Sequence, residues 1–179
     1  MSRFAIRPYQ PDDVDEIYAA ADESRELIAP WMGWMTPGYC RDDAAAWVRL
    51  AMDAWEQGLQ YEHLIIDAEL GCIAGVCGLN HIDRVNGFEN LGYWVRGSRL
   101  GEGAACQGAL LLRDFGFETL GLNRLEIVVA KGNTFSRKVA EKTGAIHEGV
   151  LGLRLKVGET AHNAHMFALL NPAANIARS

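Results

Sequence analysis

The sequence predicts a single α+β (mixed α/β) domain over residues 1–179. The expected core is a mixed, mostly antiparallel sheet of about seven strands, with one parallel pair in the centre and helices on both faces. Three observations lead there. Short alternating segments follow one another through tight turns in the first half, as in an antiparallel meander. After Arg96 the order becomes strand, helix, strand, which joins parallel neighbours by a right-handed crossover. Hydrophobic residues form 49% of the 179 residues, enough for one sizeable core.

The elements follow in order. "FAIRPY" (residues 4–9) alternates as a strand. "QPDDVDEIYAAAD" then starts a helix, with Pro11 in the first turn, acidic residues suited to the helix dipole, and Ile17, Ala20 and Ala21 facing inward. "LIAPWMGWMTPGY" is broken by Pro30, Gly33, Pro37 and Gly38, so a loop with short helical pieces is expected, carrying Trp31 and Trp34. "RDDAAAWVRLAMDAWEQG" reads as the second long helix, with Trp47, Leu50, Ala51 and Ala54 inward and Gly58 at its end. "YEHLIID", "CIAGVCGLNHID" and "GFENLGYWVR" read as strands joined at Ala68–Gly71 and Asn86–Gly87. An apolar-striped helix ends near Gly121, and "LNRLEIVVAK" is a β-branched strand. "NTFSRKVAEKTG" is a short helix capped by Asn133 and ended by Gly144. The remainder reads as two strands turning near Gly158.

The formal net charge is −6, so a global basic field for nucleic acid is absent, while an acidic surface suits a cationic substrate. The start lacks a long apolar stretch of the secretory kind, and no run approaches a membrane span. A cytoplasmic protein with no membrane or direct nucleic-acid partner is expected. The four cysteines, Cys40, Cys72, Cys77 and Cys106, form no C-x-x-C pair and read as buried free thiols.

The segment "SRLGEGAACQGALLL" carries the chemistry. Gly101 and Gly103 sit just before a helix, where unpaired N–H groups and the helix dipole favour an anion. The competing reading is a tight turn that needs positive φ. A P-loop is excluded because no Lys-Ser/Thr follows. A dinucleotide fold is disfavoured: Cys106 stands where its third glycine belongs, and the preceding strands look antiparallel, although Glu126 could imitate the ribose carboxylate.

The motifs "IAGVCGLNHID", "NLGYWV", "LGEGAACQGALL", "LNRLEIVVAKGNTFSRKVAEKTGAIHEGVLG" and "AHMFALL" occur in an order and spacing that resemble the GCN5-related N-acetyltransferase superfamily. Within it the chain is similar to the ribosomal-protein N-acetyltransferase branch, and "LIAPWMGW" matches that branch's substrate-side loop. The resemblance implies a GNAT-like domain using acetyl-CoA as co-substrate, with no metal. It implies cofactor contacts at Trp94, Val95, Arg96, Arg99, Leu100, Gly101, Glu102, Gly103, Ala104, Asn133, Ser136 and Lys142. The superfamily's Q/R-x-x-G-x-G/A loop has Ser98 at its first position here, with Arg99 one residue late. The same resemblance makes Ser136 the donor to the departing sulfur, places the acceptor at Trp31, Trp34 and Glu89, and makes a homodimer reasonable.

Acetyl transfer needs an amine stripped of a proton, a donor for the oxyanion and help for the leaving thiolate. The reaction expected is direct transfer to a primary amine, either a protein N-terminus or a small cationic amine, without a covalent acyl-enzyme. The alternative is a non-catalytic acyl-CoA-binding sensor or assembly module. It is motivated by Asn90 and Leu155, which the resemblance places where relatives offer a glutamate; Asn163 falls at the late-strand acidic position. Glu89, Glu148 and His147 remain open as bases, as does water. Arg137, Lys138 and Lys142 are candidate phosphate partners. His162 and His165 are three apart on a strand and fall on opposite faces, so they make no metal pair.

Overall fold

The computed structural model describes residues 2–175. Strands β1 (Phe4–Pro8), β2 (Tyr61–Asp67), β3 (Cys72–Asp83) and β4 (Phe88–Val95) pair antiparallel in chain order. Strand β5 (Arg124–Ala130) lies parallel to β4. The hairpin of β6 (Ile146–Val157) and β7 (Thr160–Leu170) adds through β7, giving the order β1-β2-β3-β4-β5-β7-β6. The parallel pair is therefore central and every other pairing is antiparallel, as the sequence predicts.

The helices are α1 (Val14–Glu23), α2 (Arg25–Ile28), α3 (Arg41–Glu56), α4 (Ala104–Asp114) and α5 (Thr134–Lys142). Three of the longer ones, α1, α3 and α5, start where a side chain satisfies a free backbone N–H, while α4 starts at Gly103 with no side-chain cap. The Asp13 carboxylate accepts from the Gln10 N–H at 2.6 Å in the 3₁₀ turn that leads into α1. Asp43 accepts from the Cys40 N–H at 2.8 Å ahead of α3. Asn133 accepts from the Ser136 N–H at 3.0 Å ahead of α5. Helix α4 widens into a π-helical turn at Phe115–Thr119 before Gly121 ends it.

The core divides between the two faces of the sheet. Ile65, Cys77, Leu79, Leu91 and Leu125 pack on the α4 and α5 side, with Ala109, Leu112 and Ala140. Leu64, Ile73 and Val76 pack on the other side, with Ile17 and Ala20 of α1 and Ala44, Val48 and Ala51 of α3. Two expectations are corrected here. The inward stripe of α3 is Ala44, Val48, Ala51 and Ala54, whereas Trp47 is 40% and Leu50 54% exposed. Small side chains face α1 because two helices covering one sheet face must approach closely. Of the four cysteines only Cys77 is buried; Cys72 and Cys106 are half-buried and Cys40 is exposed. Among the described residues, no helix is long and apolar enough to cross a membrane.

One break in the sheet positions everything that follows. Strands β4 and β5 pair only at Phe88 with Arg124, Glu89 with Leu125 and Asn90 with Glu126. Beyond Asn90 they part, β4 staying with β3 and β5 with β7. The β5-facing backbone of Leu91–Val95 is left without a strand partner, and a wedge opens in mid-sheet.

Candidate active site

A cavity of about 340 Å³ fills that wedge. Its floor is Tyr93, Trp94 and Val95 of β4. One wall is Leu27, Ile28, Trp31 and Met32, the other is Phe135, Ser136, Lys138, Val139 and Lys142 of α5, and the turn entering α4 closes one end. Trp31 spans the opening: a Cβ on Gly132, across the wedge, would lie 3.7 Å from its ring.

The turn into α4 is built from backbone. Gly101 and Gly103 adopt φ of +80° and +90°, a region where a side chain is strained, and a Cβ at either would meet nothing within 4 Å. Gly103 is the N-cap, so the first N–H groups of α4 lie open at the cavity. The 3₁₀ turn at Gly97–Arg99 is pinned from α1: Glu23 accepts from the Ser98 N–H and the Arg96 guanidinium, both at 2.7 Å, and the Ser24 hydroxyl accepts from the Gly97 N–H at 2.8 Å. The Ser98 side chain, then the Arg96 guanidinium and more weakly the Ser98 N–H, hold the Glu23 carboxyl down at about 2.

These features fit a coenzyme A arm and its diphosphate. Leu100, Gly101, Gly103 and Ala104 supply a loop that oxygens can approach, with Lys138 and Lys142 opposite. Arg99 lines the same end, and its Nε is buried without a partner among the described residues. The unpaired edge of β4 offers amide partners to an extended chain, as an added strand would.

Between β4 and α5, two hydroxyls meet. Ser136 Oγ donates to the Tyr93 hydroxyl at 3.2 Å, and Tyr93 donates to the Ser136 carbonyl at 2.8 Å. Burial pushes the Tyr93 phenol up to about 12, so it keeps its proton at neutral pH. Tyr93 was not singled out from sequence. The available signal was strand alternation, which puts it with Leu91 and Val95 on the side of the crossover helix.

Among the residues named from sequence, Trp94, Val95, Arg99, Leu100, Gly101, Gly103, Ala104, Asn133, Ser136, Lys142 and Trp31 come together around the cavity. Others lie elsewhere. The Arg96 side chain is held by Glu23, and Glu102 turns outward to Arg3 and Arg99. Of the three cations on α5, Arg137 pairs instead with Glu141 at 2.8 Å. Trp34 stands on the neighbouring face, its ring 6.1 Å from that of Trp94 and 5.5 Å from that of Tyr39. Glu89 does not join it. The carboxyl is 1% exposed and shares the opposite face with Leu91, and burial pushes it up to about 7 with Arg84 partly offsetting. Glu148 is paired with Arg124, and His147 meets His165 at 3.1 Å, so neither reaches the wedge. One contact was missed: the β6–β7 turn reaches Gly33, where a Cβ would come within 2.9 Å of the Gly158 nitrogen.

Comparison with known proteins agrees with this geometry. The acetyltransferase (GNAT) domain family matches residues 3–146. The uncharacterized N-acetyltransferase p20 of Bacillus licheniformis is 32% identical over 94% of this chain and 93% of its own. The Bacillus subtilis protein named "Putative ribosomal N-acetyltransferase YdaF" is 27% identical over 92% of this chain and 90% of its own. The ribosomal L7/L12 alpha-N-protein acetyltransferase RimL, solved with coenzyme A, superposes with a TM-score of 0.88 at 19% identity, covering 97% of both chains. The wedge, the glycine turn and the matched family converge: this chain belongs to the GNAT acetyltransferases and is an N-acetyltransferase.

Proposed function

We propose that the chain moves an acetyl group directly from acetyl-CoA to the primary amine of a protein N-terminus, with no acyl-enzyme. The observation that carries this is the meeting of the Ser136 and Tyr93 hydroxyls at the point where β4 and β5 part. Bound there, acetyl-CoA supplies an electrophilic thioester carbonyl and a thiol leaving group. The residues do the rest. The α4 turn, Lys138 and Lys142 hold the diphosphate, and the β4 edge aligns the arm. Ser136, in line with Tyr93, delivers a proton to the sulfur. No nucleophilic side chain is required, because the amine itself attacks. The preference for a protein N-terminus over a small cationic amine follows the names carried by YdaF and RimL.

The test is calorimetric titration with acetyl-CoA against NAD as control, followed by thiol release with N-terminal peptides and with spermidine. Binding of acetyl-CoA alone, and release with peptides, is expected. Ser136→Ala should lower turnover about 100-fold while leaving acetyl-CoA affinity within about twofold. Unchanged turnover removes Ser136 from the reaction, and absence of acetyl-CoA binding removes the whole assignment.

A further inference from the structure

The structure brings one buried carboxyl to the side of the sheet that carries Asn90, Gly92 and Trp94. Glu62 of β2 stands opposite Gly78 of β3, which stands opposite Gly92 of β4. The Glu62 carboxyl lies directly over Gly78: a Cβ there would fall 2.2 Å from Oε2 and 2.4 Å from Oε1. The side chain thus reaches across β3, and adjacent strands are only about 4.8 Å apart. At Gly92 the space is open, the single atom within 4.0 Å of a Cβ being Asn90 Nδ2. Two glycines in one row thus leave a shallow trough, with no side chain of β3 or β4 standing between that buried carboxyl and the outer edge of β4.

The trough has matched sides. Along one lies the next row toward the C-terminal end of β4, with Trp94 and, against it, Trp34, which is 42% exposed. Along the other, Asn90 Nδ2 donates to Asn80 Oδ1 at 2.9 Å, and the Asn80 amide faces Glu62. Asn90 and Gly92 are half-exposed, so the β4 end of the trough is open to solvent. Aromatic faces leading to one carboxylate suit a primary ammonium.

We infer that Glu62 is the proton acceptor for the incoming ammonium, an assignment that rests on the acetyl-transfer reading above. An N–H bond of the ammonium breaks and its proton passes to a Glu62 carboxylate oxygen. The freed lone pair then forms the C–N bond as the C–S bond breaks. Sulfur takes its proton from the Ser136–Tyr93 pair, which is restored by the second proton leaving nitrogen, and Glu62 returns the first to water. Net, one proton is released per acetyl group transferred.

The electrostatics accord with the task. Burial pushes the Glu62 carboxyl up to about 7, with Asn80 partly offsetting. A base poised near the working pH is the most effective kind. The titratable groups around it are neutral there: Tyr9 and Cys77 feel its charge but are held well above their ordinary values by burial. His63, next in β2, is pushed down to about 4 by burial. Neither α1 nor α3 contributes a charge to its titration.

Two readouts test this. The first compares wild type and Glu62→Gln on an N-terminal-serine peptide and on its aminooxyacetyl analogue, whose nucleophile is already unprotonated near neutral pH. Wild-type kcat/KM for the amine should rise through about pH 7. Glu62→Gln should lose about 100-fold on the amine together with that inflection, yet stay within about threefold on the aminooxy peptide. Equal losses on both acceptors, or no loss, would overturn the assignment. The second readout needs no turnover. In protein with ¹³C-labelled glutamate carboxyls, one resonance absent from Glu62→Gln should titrate near 7, and its midpoint should fall when n-butylammonium is added. A midpoint that the ammonium leaves unmoved overturns the assignment. Failure of wild type to bind acetyl-CoA would instead strike the acetyl-transfer reading, and the carboxyl titration would still decide whether the trough receives an ammonium.

Discussion

The two sides of the wedge are made of different material. The cofactor side is backbone: two left-handed glycines, the open N-terminus of α4, and an unpaired stretch of β4. The acceptor side is side chains drawn from distant parts of the chain, Trp34, Glu62, Asn80, Asn90 and Trp94, gathered only when β2, β3 and β4 align. A backbone site asks little of residue identity beyond glycine, so it tolerates sequence change around it. A side-chain site depends instead on the register of every strand that contributes to it.

The acceptor side predicts the largest effect. Glu62 has a folded-state pKa of about 7 against an ordinary value of 4.5. The folded protein therefore holds that proton more tightly than the unfolded chain does. Its stabilising effect is full below about 4.5 and is lost as pH rises through about 7. Above that, the buried carboxylate costs about 3 kcal/mol. Glu62→Gln, neutral throughout, should match the wild type near pH 4.5 and exceed it by about that amount at pH 8 in urea unfolding. A stability difference that does not change with pH would mean the carboxyl is not strained. A gain in stability joined to a loss of amine turnover would mark a charge retained at a structural cost.

The backbone side should break through conformation instead. Gly103→Val forces a β-branched residue to a φ of +90° at the N-cap of α4. Acetyl-CoA affinity should fall about 30-fold, equivalent to about 2 kcal/mol, with the pH profile of the remaining activity unchanged. If affinity holds, the open amides of α4 are not the diphosphate site. If the profile moves as well, the two sides are coupled and the comparison between them weakens.

This contrast also explains what the sequence made legible. The seven strands, the parallel pair after the crossover and the glycine turn are written in contiguous stretches, and the structure agrees with each. Asn133 was legible for the same reason, since an N-cap and its Ser136 partner lie three residues apart. Glu62 was not, because nothing in "YEHLIID" says that Gly78 will lie opposite it. Register across strands is a tertiary property, and one residue of slip moves a side chain to the other face. Glu89 illustrates the reverse case: one place from Asn90 in sequence, it ends on the α4 side of the sheet with Leu91, away from the tryptophans.

The smallest effect tests the same lesson on a helix. The Trp47 and Leu50 stripe of α3 is apolar by composition, yet the buried stripe is Ala44, Val48, Ala51 and Ala54. The two lie side by side on the helix, and bulk favours the wrong one: close packing against Ala20 of α1 selects small residues at the contact. Leu50, at 54% exposure, keeps most of its surface in water. Leu50→Gln should therefore change stability by under about 0.5 kcal/mol, whereas Val48→Ala, which empties a site 1% exposed, should cost about 1–2 kcal/mol. Urea midpoints at constant m-value would measure both. A cost at Leu50 equal to that at Val48 would mean that Leu50 is covered in solution by something outside this chain, and a second copy, tested by its mass in solution, would be the first occupant to examine.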